Sequence, residues 1–256
     1  MDDQVSAFRS EAAPLPAPRP PAVDLRRYVA VHLLAVPVVL AAAAAACQYG
    51  SVDMALARLF FDPATQSFAW RHSGVLDVLG HQAARLLPFL VAAFAIAAAV
   101  AGLRVRSLRP WIPILFSIGA AMVVGPLAVN LLKGATAQHC PVAMQSFGGV
   151  VDYVANQGGP FWAGSAQNAG HCLPSGHAGG GYALLSLYFA GWAAGRPAWR
   201  WRGLAVGIAA GGLFSLVRMM QGSHFASATL WSAVVDWTVC AALFLPLLCA
   251  PNKRAA

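Results

Sequence analysis

Two histidines and two cations stand out from the apolar stretches around them: Lys133, His177, Arg218 and His224. An imidazole can attack an electrophilic centre or pass a proton to a leaving group. A guanidinium holds a tetrahedral oxyanion through its planar fork, and an ammonium binds it as a point charge. These residue types together predict a phosphate site in which one histidine attacks phosphorus and the other protonates the leaving oxygen.

The stretch HCLPSGHAGGGYALL, residues 171–185, adds backbone groups to this set. Ser175 is typical of a helix N-cap, and Gly176 allows a ligand to approach the main chain closely. The free N–H groups at such a helix start favour an anion. We therefore expect Ser175 and Gly176 to contact the phosphate, and we take His139 and His171 as further candidates for substrate contacts.

The composition places these residues in a membrane. Hydrophobic residues make up 59% of the 256 positions and charged residues 10%, against roughly a quarter charged in soluble domains. We predict an all-α polytopic protein in which residues 28–250 form one domain with six transmembrane helices. The predicted spans are Tyr28–Gln48, Leu86–Leu103, Pro110–Leu132, His177–Gly195, Gly203–Val217 and Phe225–Ala250.

The arrangement of charge predicts the orientation of the spans. The connections RVRSLR and RPAWRWR each carry three arginines and no acid, so the positive-inside rule places both in the cytoplasm. Both termini then lie there too, as a disordered tail at 1–27 and a short tail at 251–256. The same topology explains the net charge of +8, and no nucleic-acid partner is expected.

This topology brings the polar residues to one surface. Lys133 and Arg218 end the third and fifth spans, while His177 and His224 begin the fourth and sixth. All four therefore lie on the outer face of the predicted bundle. Asp236 is different because it falls well inside the sixth span, where an acid is either functional or a polar contact between helices.

The residues resemble the type 2 phosphatidic acid phosphatase superfamily of membrane lipid phosphatases. The family's central block, Pro-Ser-Gly-His, is complete at 174–177, and its flanking blocks are represented by Lys133 with Pro141 and by Arg218 with His224. The resemblance implies that His224 is the nucleophile and His177 the general acid. It also implies that Lys133, Ser175, Gly176 and Arg218 bind phosphate, with no metal or other cofactor.

Three positions depart from the family pattern. Cys140 stands in place of an arginine, Val217 in place of a serine, and Ala228 in place of the aspartate that orients the nucleophile. In a comparable histidine–aspartate pair, loss of the carboxylate cost about 10⁴ in rate. The sequence leaves Asp152, Ser227, Thr229 or a backbone carbonyl as replacements for that aspartate.

Two cysteines share the predicted outer loop. Cys140 follows Lys133 by seven residues and Cys172 precedes His177 by five, and both of those partners must reach one phosphate. An oxidising compartment would join the two thiols, so we predict a Cys140–Cys172 disulfide. Unpaired thiols, or a zinc site formed with His139 and His171, are the alternatives.

The sequence thus predicts an integral membrane phosphatase of a lipid phosphate that works through a phosphohistidine. Substrates implied by the resemblance are phosphatidic acid, phosphatidylglycerophosphate, polyprenyl pyrophosphate and lipid A. A lipid phosphotransferase, a non-catalytic lipid-binding protein and a transporter are the alternatives. The alanine and glycine richness suggests a bacterial inner membrane, with the site facing the periplasm.

Overall fold

The computed structural model describes residues 16–21, 23–152 and 170–249 of the chain. It is mostly helical, as predicted. The helices, in chain order, are Leu25–Tyr49 (α1), Val52–Arg58 (α2), Gly74–Ala101 (α3), Arg109–Ala135 (α4), Gly176–Tyr182 (α5), Ser186–Ala193 (α6), Pro197–Met220 (α7) and Ala226–Cys249 (α8). Within these residues five helices are long and apolar enough to cross a membrane, namely α1, α3, α4, α7 and α8.

The predicted fourth span, His177–Gly195, corresponds to a continuous helical run. Helix α5 continues through a single 3₁₀ turn at Ala183–Leu185 into α6. A Cβ atom on Gly181 would lie 2.7 Å from the Cα atom of Gly211 on α7. Glycine is therefore required for this close approach of α5 to α7.

Two other predicted spans have different bounds. The second predicted span corresponds to α3, which begins at Gly74 and not at Leu86. At this start, the Ser73 Oγ atom accepts a hydrogen bond from the Leu76 N–H group at 3.4 Å. The polar residues His81 and Arg85 are consequently part of a membrane helix. The fifth predicted span, the short segment Gly203–Val217, corresponds to α7, which is 24 residues long.

The segment between α1 and α3 is folded. Helix α2 is followed by an antiparallel hairpin of two short strands, Phe61–Asp62 (β1) and Ser67–Phe68 (β2). Met54 and Phe68 from this segment pack with Phe147 and Phe225 in one buried cluster. This packing covers the end of the bundle from which His224 projects.

The predicted tails fall largely on residues that the structure does not describe. All of 251–256 and most of 1–27 lie outside the described ranges, as do residues 153–169 of the loop before α5. Residues 16–21 are described, and the Arg19 N–H group donates a hydrogen bond to the Ala194 carbonyl at 3.3 Å.

Candidate active site

The Pro-Ser-Gly-His block is fixed to the last helix by backbone hydrogen bonds. The Ser175 N–H group donates to the Ala228 carbonyl at 3.0 Å, and the Ser175 carbonyl accepts from the Ser232 hydroxyl at 2.8 Å. Ser175 itself is fully buried, and its Oγ atom lies 3.5 Å from the Ala178 N–H group as an N-cap. The start of α5 is therefore held beside the start of α8.

His224 lies just before α8 and is oriented by a main-chain carbonyl. Its Nδ1 atom is 2.9 Å from the Cys172 carbonyl oxygen. A carbonyl can only accept, so Nδ1 carries the proton and the lone pair of the neutral ring is on Nε2. The sequence left several groups that could replace the aspartate absent at Ala228. In the structure, the group that contacts Nδ1 of His224 is a backbone carbonyl, that of Cys172.

A disulfide and two backbone hydrogen bonds hold this carbonyl in place. Cys140 and Cys172 are joined, with their Cα atoms 5.2 Å apart. The Cys172 N–H group also donates to the Gln138 carbonyl at 2.8 Å, and the Gly170 N–H group donates to Ala137 at 2.9 Å. These links fasten the lysine block to the segment that orients His224.

Asp53 is a supporting residue that the sequence reading missed. It is buried on α2, and its carboxylate accepts hydrogen bonds from the Ser227 N–H group at 2.9 Å and the Ser227 hydroxyl at 2.5 Å. It therefore caps α8 from a helix 174 residues away in sequence. Burial raises the pKa of the Asp53 carboxyl, while the hydrogen bonds from Ser227 oppose that shift. Asp53 is one of several charged residues in a predicted loop with balanced charge, so its neighbours in sequence do not indicate a contact with Ser227.

Two half-buried cations lie near His224. Burial is the largest cause that lowers the pKa of this imidazole, to about 3, and the charges of Arg218 and Lys133 act in the same direction. Lys133 lies in the last turn of α4 and Arg218 in the last turn of α7. The Arg218 Nη1 group donates to Gln221 at 2.8 Å, whereas its buried Nε group has no partner among the described residues. The site thus has N–H donors free for an anion.

His177 faces a cavity of about 480 Å³ between α3, α4 and α5. The His81 ring lies beside it, with 4.9 Å between ring centroids. The cavity is polar at one end and apolar along the rest of its wall. Its polar lining is His81, Arg85, Asn130, Lys133 and His177, and its apolar lining includes Pro88, Phe89, Ala92, Met122 and Val123. His224 and Arg218 are not on this wall.

The other candidate residues lie around this centre. Gly176 faces Asn130, whose Oδ1 atom would be 3.0 Å from an added Cβ atom. His171 is exposed and adopts a positive φ of 48°, while His139 is half-buried.

One group of potential metal ligands includes the nucleophile candidate. The Sγ atoms of Cys140 and Cys172 and a ring nitrogen of His224 lie within 4.8 Å of one another. Zinc binds cysteine as the thiolate, which sulfurs in a disulfide do not offer. The bonded form of the two cysteines and a zinc site are therefore mutually exclusive. The histidine in this group is His224, whereas the zinc alternative considered from the sequence used His139 and His171.

Asp236 lies in the interior of the bundle, away from this site. It is fully buried on α8, and neither carboxyl oxygen has a hydrogen-bond partner within the described ranges. A Cβ atom at Gly125 of α4 would lie 2.2 Å from Oδ1, and one at Gly179 of α5 would lie 3.2 Å from Oδ2. Two glycines thus make room for this side chain where three helices meet.

More than half of the chain matches a known protein family. The family model described as PAP2 superfamily matches residues 110–247, which is more than half of the chain and includes all the residues of the three blocks. No curated protein and no solved structure matches the chain.

Proposed function

The chain belongs to the PAP2 superfamily, whose members are phosphatases acting on phosphate esters, and we propose that it hydrolyses a lipid phosphate through a phosphohistidine. The residues that carry the reaction are His224 and His177. Lys133, Arg218 and the backbone at Ser175 and Gly176 bind the phosphate. The proposal includes no cofactor.

The cavity beside His177 carries the proposal that the substrate is a lipid. Lys133 and Arg85 place positive charge at its polar end, while Phe89 and Val123 on its apolar wall are 67% and 53% exposed. Because these two side chains face outward from membrane-spanning helices, the cavity is open sideways toward the bilayer. An amphiphile could enter there with its phosphate against the cations and its hydrocarbon along Phe89 and Met122.

Hydrolysis proceeds in two displacements. The Nε2 lone pair of His224 attacks phosphorus while the ester oxygen leaves with a proton from His177, which yields the alcohol and a phosphohistidine. Water then attacks the phosphohistidine and gives its proton to His177, so that inorganic phosphate leaves and both rings return to their starting states. Lys133 and Arg218 stabilise the charge on the equatorial oxygens in both steps.

The Cys172 carbonyl supplies the orientation that a carboxylate supplies in the family pattern. It fixes the tautomer of His224 with Nε2 unprotonated, and it accepts from the ring once Nε2 is phosphorylated. A carbonyl carries no full charge and stabilises the positive ring less than a carboxylate does. We expect slower chemistry than an aspartate would allow, in a site that is nevertheless correctly oriented.

The location follows from the charge on the connections. The loops RVRSLR and RPAWRWR lie at the opposite ends of their helices from Lys133 and Arg218, and the positive-inside rule supports a site on the outer side of the membrane. The Cys140–Cys172 disulfide suits an oxidising compartment. Both observations support a site on the outer, oxidising side of the membrane. With the alanine and glycine richness of the chain, this supports our proposal of a bacterial inner-membrane protein whose site faces the periplasm.

The direct test is phosphate release by the purified full chain in detergent from phosphatidic acid, phosphatidylglycerophosphate, a polyprenyl pyrophosphate and lipid A. We expect release from at least one of them by the wild type and by His72→Gln, a matched change at an exposed histidine. The variants His224→Gln and His177→Gln should be inactive or strongly impaired. Phosphate recovered on a second lipid would indicate a phosphotransferase, and no turnover of any lipid would favour a non-catalytic lipid-binding protein.

A further inference from the structure

A second cavity lies at the other end of the bundle from His224. Its volume is about 600 Å³, and we call it the basic cavity after Arg27 and Arg200 on its wall. Its remaining lining is Pro21, Val23, Asp24, Tyr28, Val31, His32, Tyr188 and Trp192. Arg200 is eighteen residues before Arg218 on the same helix, which separates the two by about 27 Å. The basic cavity is therefore distinct from the candidate active site.

Positive charge dominates its wall. Arg200 stacks on two rings, with its Cζ atom 4.0 Å from the centroid of Trp192 and 4.6 Å from that of Tyr188, and it also contacts the Tyr188 hydroxyl. Asp24 is the one acid among the lining residues described, and its Oδ1 atom accepts from the Arg27 backbone N–H group at 2.8 Å. Two cations against one carboxylate leave a net positive wall.

Two buried nitrogen atoms at this cavity have no hydrogen-bond partner among the residues described. They are Nδ1 of His32 and Nε of Arg200. The His32 side chain is only 6% exposed and is surrounded by the rings of Tyr28, Trp192 and Trp237, with centroids 5.0–5.7 Å away. An unpaired buried polar group costs about 1–3 kcal/mol. A ligand that brings oxygen atoms into the cavity would remove that cost.

We propose that the basic cavity binds the phosphate-bearing head of an anionic molecule. Arg200 and Arg27 bind the anion, His32 makes a polar contact, and the apolar remainder of the ligand packs on Tyr28, Val31 and Trp192. The volume falls within the 300–1,000 Å³ of small-molecule sites and is far larger than one phosphate ion requires. Basic pockets between transmembrane helices bind anionic lipid heads elsewhere. A lipid head or a soluble phosphate ester would offer the same chemistry.

The test measures binding and does not depend on catalysis. The unfolding temperature of the purified full chain would be followed, and bound ligands counted by native mass spectrometry. The probes are short-chain phosphatidylglycerol, short-chain phosphatidylcholine and glycerol phosphate. The variants are Arg27→Gln and Arg200→Gln, and Arg202→Gln is the control because it changes an exposed arginine on the same helix that is not on this wall. Anion binding at the active site is common to all variants, so it cancels in the comparison.

We expect phosphatidylglycerol to bind and to stabilise the wild type and Arg202→Gln, with affinity at least about tenfold weaker in each of the other two variants, because each loses a charge-assisted contact. Arg27 is exposed, so its variant tests binding even if Arg200→Gln lowers the intrinsic stability. Binding of glycerol phosphate with the same dependence on Arg27 and Arg200 would assign the site to a soluble ester. Equal stabilisation by phosphatidylcholine, or unchanged affinity in both variants, would overturn the proposal.

Discussion

Removal of the Cys140–Cys172 disulfide should lower both the stability and the turnover of the enzyme, by amounts that the structure predicts separately. The bond closes a loop with a sequence separation of 32, for which chain entropy gives about 3.7 kcal/mol of stability. The same bond holds the Cys172 carbonyl that accepts from His224. A neutral hydrogen bond of that kind contributes about 0.5–1.5 kcal/mol, so its loss should lower kcat about 2- to 13-fold.

The assay compares the Cys140→Ala/Cys172→Ala variant with the wild type and with Cys47→Ala, which removes a cysteine outside the disulfide. We expect a lower kcat and an unchanged KM, because Lys133 and Arg218 still bind the phosphate. Treatment of the wild type with a reductant should reproduce the effect and reoxidation should reverse it. A folded double variant with wild-type kcat would refute the role given to the disulfide in holding the Cys172 carbonyl. A gain of metal-dependent activity on reduction would instead favour the metal site formed by these sulfurs and His224.

Three further predictions test the surroundings of the site. Because the folded-state pKa of His224 is about 3 and lies below the unfolded value of 6.5, its contribution to stability is complete above pH 6.5 and declines as the pH falls toward 3. By pH 5, thermal unfolding should show a loss of stability that is about 2 kcal/mol larger in the wild type than in His224→Gln, and this difference is the contribution of His224. The change Asp53→Ala removes the cap of α8 and should cost about 1–3 kcal/mol in chemical unfolding, whereas Asp62→Asn at the end of β1 should change little. The change Phe89→Ala should lower kcat/KM for a lipid phosphate about tenfold, through loss of apolar contact, but should not change kcat/KM for a soluble ester. The control Phe94→Ala, which changes another exposed phenylalanine on the same helix, should change kcat/KM for neither substrate. An equal loss for both substrates in Phe89→Ala would contradict lateral lipid entry.

The sequence predicted the family and the helical membrane fold because both depend on local signals. Apolar length identifies a spanning helix, and the order of the Lys133, Pro-Ser-Gly-His and Arg218–His224 blocks identifies the superfamily. The start of α3 was placed twelve residues too late because Gly74–Arg85 contains polar residues that face the cavity. The 3₁₀ turn after α5 and the contact of Gly181 with Gly211 could not be predicted, since that contact depends on helices distant in sequence.

The support of the site could be predicted only in part. The cysteine pair followed from two residues in one loop, each close to a phosphate-binding block. The carbonyl that orients His224 was one option among four, because every residue has a carbonyl and the sequence does not show which one points at the ring. Asp53 contacts Ser227, which is 174 positions away in sequence. His81 lies beside His177, which is 96 positions away. Only the folded chain brings such pairs together.

Trapping of the covalent intermediate tests the central claim most directly. The purified wild type would be mixed with a lipid substrate carrying a labelled phosphate, quenched in base within one turnover, and digested for peptide mapping. A base-stable and acid-labile phosphoryl group should appear on His224, accumulate in a variant that slows its hydrolysis, and be absent in His224→Gln with loss of turnover. A wild type that turns over its substrate without any label on His224, together with a His224→Gln variant that remains active, would contradict the account.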